Sequence, residues 1–359
     1  QRQEHVAPLE RTAVERIIEH SSRLVDDAEK LSLHIGDLRD LILESEFYFL
    51  QRTQAADETL AEANQTGADK SKRINLADVN SAISARIYRA NQYQQRLYED
   101  ILRGTILIDT DHQKVGQVNA LSIIQVGEFC FGQPSRITAT VRIGEGNIVD
   151  IEREVELGGE IHSKGVMILS SYLGYHYAKT RLLSLDANLT FEQSYGQVDG
   201  DSASVAELCA LLSAVSELPV NQSFALTGSV NQLGEVQAIG GVNEKIEGFF
   251  DICKLRGLNG KQAVIIPQSN VTNLMLKDEV IKAVENNLFT IYTIEHVDQG
   301  LALLMGMDAG SLNDKGEYPP GTINDCIQKK LEYFTCVKHL EQHKHDKSND
   351  DESSRDSSL

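Results

Sequence analysis

A serine and a lysine, each beside a glycine turn, have the setting that chemistry requires. Ser202 lies in Gly196-Gln-Val-Asp-Gly-Asp-Ser-Ala-Ser-Val205, where a Gly-containing turn gives way to a run with helical spacing. Val205, Leu208, Cys209 and Leu212 make an apolar stripe on that run, and Ala203, Ala206, Ala210 and Ala214 a small-residue face. A serine at a helix start sits beside backbone N–H groups that have no partner inside the helix. The dipole at that end favours negative charge. Both features suit a developing oxyanion. Serine and aspartate are also the ordinary N-caps of helices, so the segment taken alone reads either way.

A serine hydroxyl needs a base to become a nucleophile. The chain has ten histidines, and none lies in the Gly-rich segments flanking Ser202. A lysine serves instead where a dry site lowers its pKa. Lys245 is the candidate, in Ala238-Ile-Gly-Gly-Val-Asn-Glu-Lys-Ile-Glu247. Gly240 and Gly241 let the backbone turn sharply, and Asn243 starts a helix with Lys245 in its first turn. A positive helix end disfavours a charged ammonium there. The competing reading is a surface lysine beside Glu244 and Glu247.

The elements that must hold these residues divide the chain by pattern. Residues 1–103 read as helical: Val14, Ile17, Ile18, Leu24 and Val25 recur at helical spacing, and Leu38, Leu41, Ile42 and Phe49 continue in a second helix. Thr53 to Arg73 reads as a loop. Asn75 is an N-cap with Asp78 in the first turn, opening a long helix through Val79, Ile83 and Ile87. Residues 104–308 form a second domain. Its strands are expected at Thr105–Ile108, Ala120–Val126, Ile137–Ile143 and Ile148–Val155. A helical run follows from Val166 to Leu183. Strands then alternate with helices: Ala187–Phe191, a helix from Ser202, Phe224–Val230, a helix from Asn243, Ala263–Pro267 and Phe289–Thr293. The fold class is α+β, a helical domain followed by an α/β domain. A helical extension, 309–342, precedes a tail, 343–359, too polar to fold.

Composition narrows the partners. The net charge of -19 argues against nucleic acid. No run approaches the roughly 20 apolar residues of a membrane helix. Five scattered cysteines without a CxxC pair imply neither a disulfide framework nor a metal site, and fit a reducing cytoplasm. The chain opens on Gln1 without a signal peptide and reads as a piece of something longer.

The block from Gly196 to Pro267 resembles the peptidase domain of Lon-type ATP-dependent serine proteases. Asp199-Gly-Asp-Ser-Ala-Ser204 is similar to the family's nucleophile motif. Phe224-Ala-Leu-Thr-Gly-Ser-Val230, Leu233-Gly-Glu-Val236 and Ile239-Gly-Gly-Val-Asn-Glu-Lys245 resemble the segment carrying its lysine, at the family's interval from the serine. Val115-Gly-Gln-Val-Asn-Ala-Leu-Ser122 resembles the domain's first strand. Ser204, where the other branch has Gly, points to the LonB-like branch and its bacterial relatives.

The resemblance implies roles. Ser202 attacks the scissile carbonyl and Lys245 takes its proton. Thr227 hydrogen-bonds and orients the lysine. Asp199 and Asp201 pair with the lysine in closed states, which silences it. The N-terminal helices resemble the lid of an AAA+ ATPase, with Arg39 in the place of the nucleotide-sensing arginine; a solvated helix arginine is the plain alternative. No G-x-x-x-x-G-K-[ST] phosphate loop occurs, so no cofactor is expected for this chain, and ATP and Mg only for a full-length enzyme. Implied partners are unfolded or damaged protein substrates and a six-membered ring of like chains. Two other readings stay open: a non-catalytic assembly or chaperone-like module with a blocked dyad, and an unrelated acyl hydrolase with a distant histidine.

Overall fold

A computed structural model describes residues 6–62, 73–179 and 182–356. The chain divides into two compact units, Gln1–Glu99 with Gln125–Cys130 and Thr272–Lys277, and Asp100–Ile124 with Phe131–Val271 and Asp278–Leu359. The first unit holds α1 (Arg11–Arg23), α2 (Ile35–Glu62), α3 (Leu76–Ala90) and most of α4 (Gln92–Leu102). Ala13, Ile17, Leu41, Phe49, Ile74, Val79 and Ala82 form its core. Asn75 caps α3 as the sequence predicts: its side chain accepts from the Asp78 N–H, and Asp78 reaches back to the Asn75 N–H. The second helix runs longer than expected, taking up the first ten positions of the stretch read as a loop, Thr53 to Arg73. Gln51–Ala55 contain no helix breaker, and the Thr53 hydroxyl bonds back to the Phe49 carbonyl at 3.0 Å. Residues 63–72 of that reading lie outside the described residues.

The second unit is mixed α/β around a seven-stranded sheet. Its elements are β1 (Gln113–Lys114), β2 (Gln117–Val126), β3 (Phe129–Ile143), β4 (Ile148–Asp150), α5 (Ile151–Glu154), α6 (Glu160–Tyr177), β5 (Leu185–Phe191), α7 (Ser204–Ser216), β6 (Val220–Asn221), β7 (Phe224–Leu226), β8 (Ser229–Val230), β9 (Val236–Gln237), α8 (Val242–Arg256), β10 (Ala263–Pro267), α9 (Asp278–Glu285), β11 (Thr290–Ile294), α10 (Val297–Met305) and α11 (Ile323–Asp356). Strand order in the main sheet is β11-β10-β7-β2-β3-β5-β4. β10 runs parallel to both β7 and β11, and all five of its residues are buried, as an apolar run in a parallel strand requires. The central helix is α7, apolar on almost every side; such a helix must be enclosed, and Val205, Leu208, Leu211 and Leu212 are fully buried.

Two strand expectations are corrected. Thr105–Ile108 is extended but unpaired: Gln193 replaces the neighbouring strand, accepting from the Leu107 N–H at 2.7 Å and donating to the Thr105 carbonyl at 2.9 Å. Ile148–Val155 is a strand only to Asp150 and then turns into α5, because the Glu152 carbonyl accepts from both Leu157 and Gly158. The last helix continues to Asp356, through much of the stretch expected to stay unfolded. That stretch lacks proline and glycine, so nothing stops a helix begun at Ile323. No helix among the described residues is long and apolar enough to cross a membrane.

Candidate active site

Lys245 is carried by α8, and glycines fix where that helix lies. Gly241 precedes it with φ +64, a left-handed turn open to glycine. Gly132 of β3 lies against the Glu244 carbonyl, and Gly248 of α8 against the backbone of Gly132. A side chain at either position would push helix and strand apart. The lysine is thereby set in the interior, with 2% of its surface exposed.

Ser202 is held from the other side. Its carbonyl accepts from the Gly228 N–H at 2.8 Å and from the Thr227 hydroxyl at 3.1 Å. The helix it leads into begins at Ser204, whose N–H bonds to the Asp201 carbonyl at 3.0 Å. The Ser204 hydroxyl accepts from the Val230 N–H at 3.0 Å, which ties the start of α7 to β8. The serine is half-buried, and the backbone N–H groups of Ser202 and Ala203 have no partner among the described residues.

The two side chains meet. Lys245 Nζ donates to Ser202 Oγ at 2.8 Å. Burial pulls the lysine pKa down to about 8, with Asp201 opposing the shift. An amine near neutrality, touching a serine hydroxyl, can accept its proton. The unpartnered N–H groups beside that hydroxyl are placed to bind an oxyanion.

The other residues singled out from sequence fall differently. Thr227 is fully buried, but its hydroxyl binds the Ser202 carbonyl rather than the lysine. The reason is register: Thr227 and Gly228 run beside Ser202 between β7 and β8, so both of their donors converge on one carbonyl. Asp201 accepts from the Ser229 hydroxyl at 2.8 Å. Asp199 accepts from the Gly200 N–H at 2.8 Å and lies against Gly159. Neither carboxylate is within ion-pairing distance of Lys245 among the described residues. Arg39 is exposed on α2, in the first unit. Sequence reasoning missed Ser229 and the packing glycines Gly132 and Gly248; a helix or strand glycine conveys close approach only once its neighbour is known.

A groove of about 960 Å³ runs along α6 and the turn joining β8 to β9, lined by Lys164, Met167, Ile168, Ser171, Leu233 and Gln237 among others. It adjoins the serine segment: Gly158 pairs with Val198, and the Ser229 hydroxyl lies 3.3 Å from Gln237 and 2.8 Å from Asp201.

Fold and site together define a mixed α/β domain that presents a serine to a buried lysine, with a helical unit before it. The family model of the Lon protease (S16) C-terminal proteolytic domain matches residues 109–306, more than half the chain. That of the archaeal LonB AAA+ ATPase LID domain matches residues 8–56. The chain belongs to the Lon protease (S16) family, on its LonB-like side. Its relatives include a Lon protease homolog of Escherichia coli (strain K12), 50% identical over 64% of this chain and 39% of that one. A Lon protease homolog of Haemophilus influenzae is 41% identical over 81% of this chain and 49% of that one. An archaeal Lon protease of Archaeoglobus fulgidus is 31% identical over 48% of this chain and 26% of that one. The chain thus spans half or less of the length of these relatives.

Proposed function

We propose that the chain is the proteolytic part of an ATP-dependent, Lon-like serine endopeptidase, with Ser202 as nucleophile and Lys245 as general base. The observation that carries this reading is the 2.8 Å contact of Ser202 Oγ with a buried lysine whose pKa is pulled down to about 8. Lys245 Nζ takes the hydroxyl proton as Oγ attacks a peptide carbonyl. The N–H groups of Ser202 and Ala203 receive the oxyanion. The lysine returns the proton to the leaving amine, leaving an acyl-enzyme on Ser202. It then takes a proton from water as that water attacks the ester.

Thr227 acts as a positioning residue through the Ser202 carbonyl. The groove beside the serine holds the substrate chain, with Met167, Ile168 and Leu233 offering an apolar floor. Substrates are unfolded or damaged proteins, the assembly is a ring of six chains, and the compartment is the cytoplasm. ATP and Mg act on an ATPase module to which residues 8–56 belong as part of a lid, with Arg39 toward the nucleotide. The family membership and the names of the relatives support these assignments.

The test is hydrolysis of short fluorogenic peptides by the wild-type chain, Ser202→Ala and Lys245→Ala, from about pH 6 to about pH 10. Loss of activity in both variants, with a wild-type rate that rises toward alkaline pH, is the expected result. Activity surviving Lys245→Ala would assign the base elsewhere. Inactivity of all three would return the blocked-module reading.

A further inference from the structure

A second group of ionisable side chains lies in the peptidase unit, apart from the serine and the lysine. Asp150 ends β4, Glu152 lies in α5 and His162 in the first turns of α6; they are 1%, 4% and 1% exposed. Their ligand-type atoms all lie within 4.8 Å of one another. Glu152 is anchored by one oxygen only, Oε1, which accepts from the Thr190 hydroxyl at 2.8 Å and the Phe191 N–H at 2.9 Å. Its Oε2 has no partner, and neither do both Asp150 carboxylate oxygens nor His162 Nε2. His162 Nε2 stands 3.1 Å from Asp150 Oδ2 without the alignment of a hydrogen bond. On the far side of the ring, His162 Nδ1 faces Glu207 Oε1 of α7 at 3.8 Å.

A buried polar atom without a partner is strongly unfavourable. Here four such atoms, on three side chains, converge on one another. Bonds of about 2.0–2.2 Å to a common ion set its ligand atoms roughly 3–4 Å apart, the scale seen here. One imidazole nitrogen with carboxylate oxygens is the donor set of a first-row divalent ion. Glu207 then takes the place that orients a metal-bound histidine through its other nitrogen. Without an ion, three carboxylates and one imidazole share a dry space, and burial pushes Glu207 up to about 7.

We propose that Asp150, Glu152 and His162 bind one divalent first-row transition ion, with Glu207 positioning the imidazole. The ion is structural. It clamps the end of β4 to the start of α6, and the chain between them pairs with Val198 through Gly158. That segment leads directly into Asp199–Ser202 and forms one wall of the groove. Spacing in the sequence does not flag the site: its donors come from three elements, and cysteine takes no part.

The test uses the whole chain. Metal content of the purified protein is measured by mass spectrometry. The chain is then stripped with EDTA and titrated with Mn2+ by electron paramagnetic resonance, and with Zn2+ against a chromophoric chelator. Unfolding is followed by calorimetry. One equivalent bound and an unfolding temperature raised by roughly 5 °C or more are expected. Glu152→Gln and His162→Gln weaken binding at least about 100-fold, and Glu207→Gln about 10-fold. Binding undiminished in both Glu152→Gln and His162→Gln assigns the ion to other groups and overturns the proposal. So does wild-type protein that is metal-free when purified, takes up neither ion at millimolar concentration and unfolds at an unchanged temperature. That result would leave a buried histidine–carboxylate ion pair. The wild-type arms decide the matter even where a variant fails to fold, and none of them reads peptidase activity.

Discussion

The Ser202–Lys245 pair and the Asp150–Glu152–His162 group are both buried ionisable sites in one unit, and they meet the cost of burial in opposite ways. Lys245 has one short hydrogen bond, to a half-exposed hydroxyl, and its pKa is drawn down to about 8 so that the neutral amine becomes accessible. The second site is closed, carries excess carboxylate and leaves four atoms unpartnered. An amine can escape the penalty by releasing its proton; a cluster of acids needs protons or a cation. The open site, with its tuned base, suits chemistry. The closed one suits structure.

The sharpest way to break this comparison is Lys245→Met, which keeps length and volume but removes the amine. Peptidase activity is expected to fall by at least about 10³-fold. Stability at neutral pH is expected to rise, because an apolar group replaces a charge poorly placed in the interior. Urea unfolding alongside the peptide assay tests both. A variant that is inactive and also markedly less stable would place Lys245 among the structural groups.

The pH dependence follows from the same shift. An unfolded lysine keeps its proton up to about 10.5, the folded one only up to about 8. Between those values the unfolded chain binds more protons, so stability rises with pH across the window. The penalty is fully present below about 8 and is relieved as pH climbs toward 10.5. Its size is roughly 3 kcal/mol. Subtracting the Lys245→Met profile from that of the wild type isolates the contribution, since other groups titrate in both. Activity should rise through the same lower limit, by about tenfold per unit below it. A flat difference profile between pH 7.5 and 10 would mean that the folded lysine keeps its ordinary pKa.

Thr227 tests what positions the nucleophile. Thr227→Val removes the hydroxyl that donates to the Ser202 carbonyl, while the Gly228 N–H still serves that oxygen. Stability should fall by about 1 kcal/mol, and kcat by roughly tenfold from misplacement of Oγ. The acid limb of the pH profile should stay in place, and Thr227→Ser should restore the rate. A limb that moves in Thr227→Val would restore the role implied by family resemblance, a hydroxyl acting on the lysine itself.

How much of this was legible in the residues varies with what each feature depends on. The cap at Asn75, the strand Ala263–Pro267 and the enclosed helix around Leu208 rest on local pattern, and pattern revealed them. Ser202 and Lys245 were legible because each sits beside a glycine turn. Their contact was not, because it depends on Gly132 and Gly248 letting α8 press against β3. Thr105–Ile108 misread as a paired strand because the side chain of Gln193, far along the chain, substitutes for one. Thr227 was found, but its partner was not: one residue of register decides whether a hydroxyl meets a carbonyl or an amine. The Asp150 group was invisible for a similar reason, since only the packing of β4, α5 and α6 brings its donors together.

The smallest expected effect concerns Asp201, the carboxylate that opposes the lysine's shift. In Asp201→Asn the charge is lost, while the amide oxygen still accepts from Ser229. The lysine then releases its proton more readily, so the acid limb of activity moves to lower pH. At pH 7 the rate should rise on the order of threefold, with little change on the alkaline plateau. Asp199→Asn, whose carboxylate bonds only to its own Gly200 N–H, should leave the limb in place. An alkaline shift in Asp201→Asn would mean that Asp201 assists proton release, for instance by fixing Ser229 and the groove beside it. A limb that moves equally in both variants would point to the net charge of the segment rather than to Asp201, and would erase the distinction between a tuned base and a merely buried one.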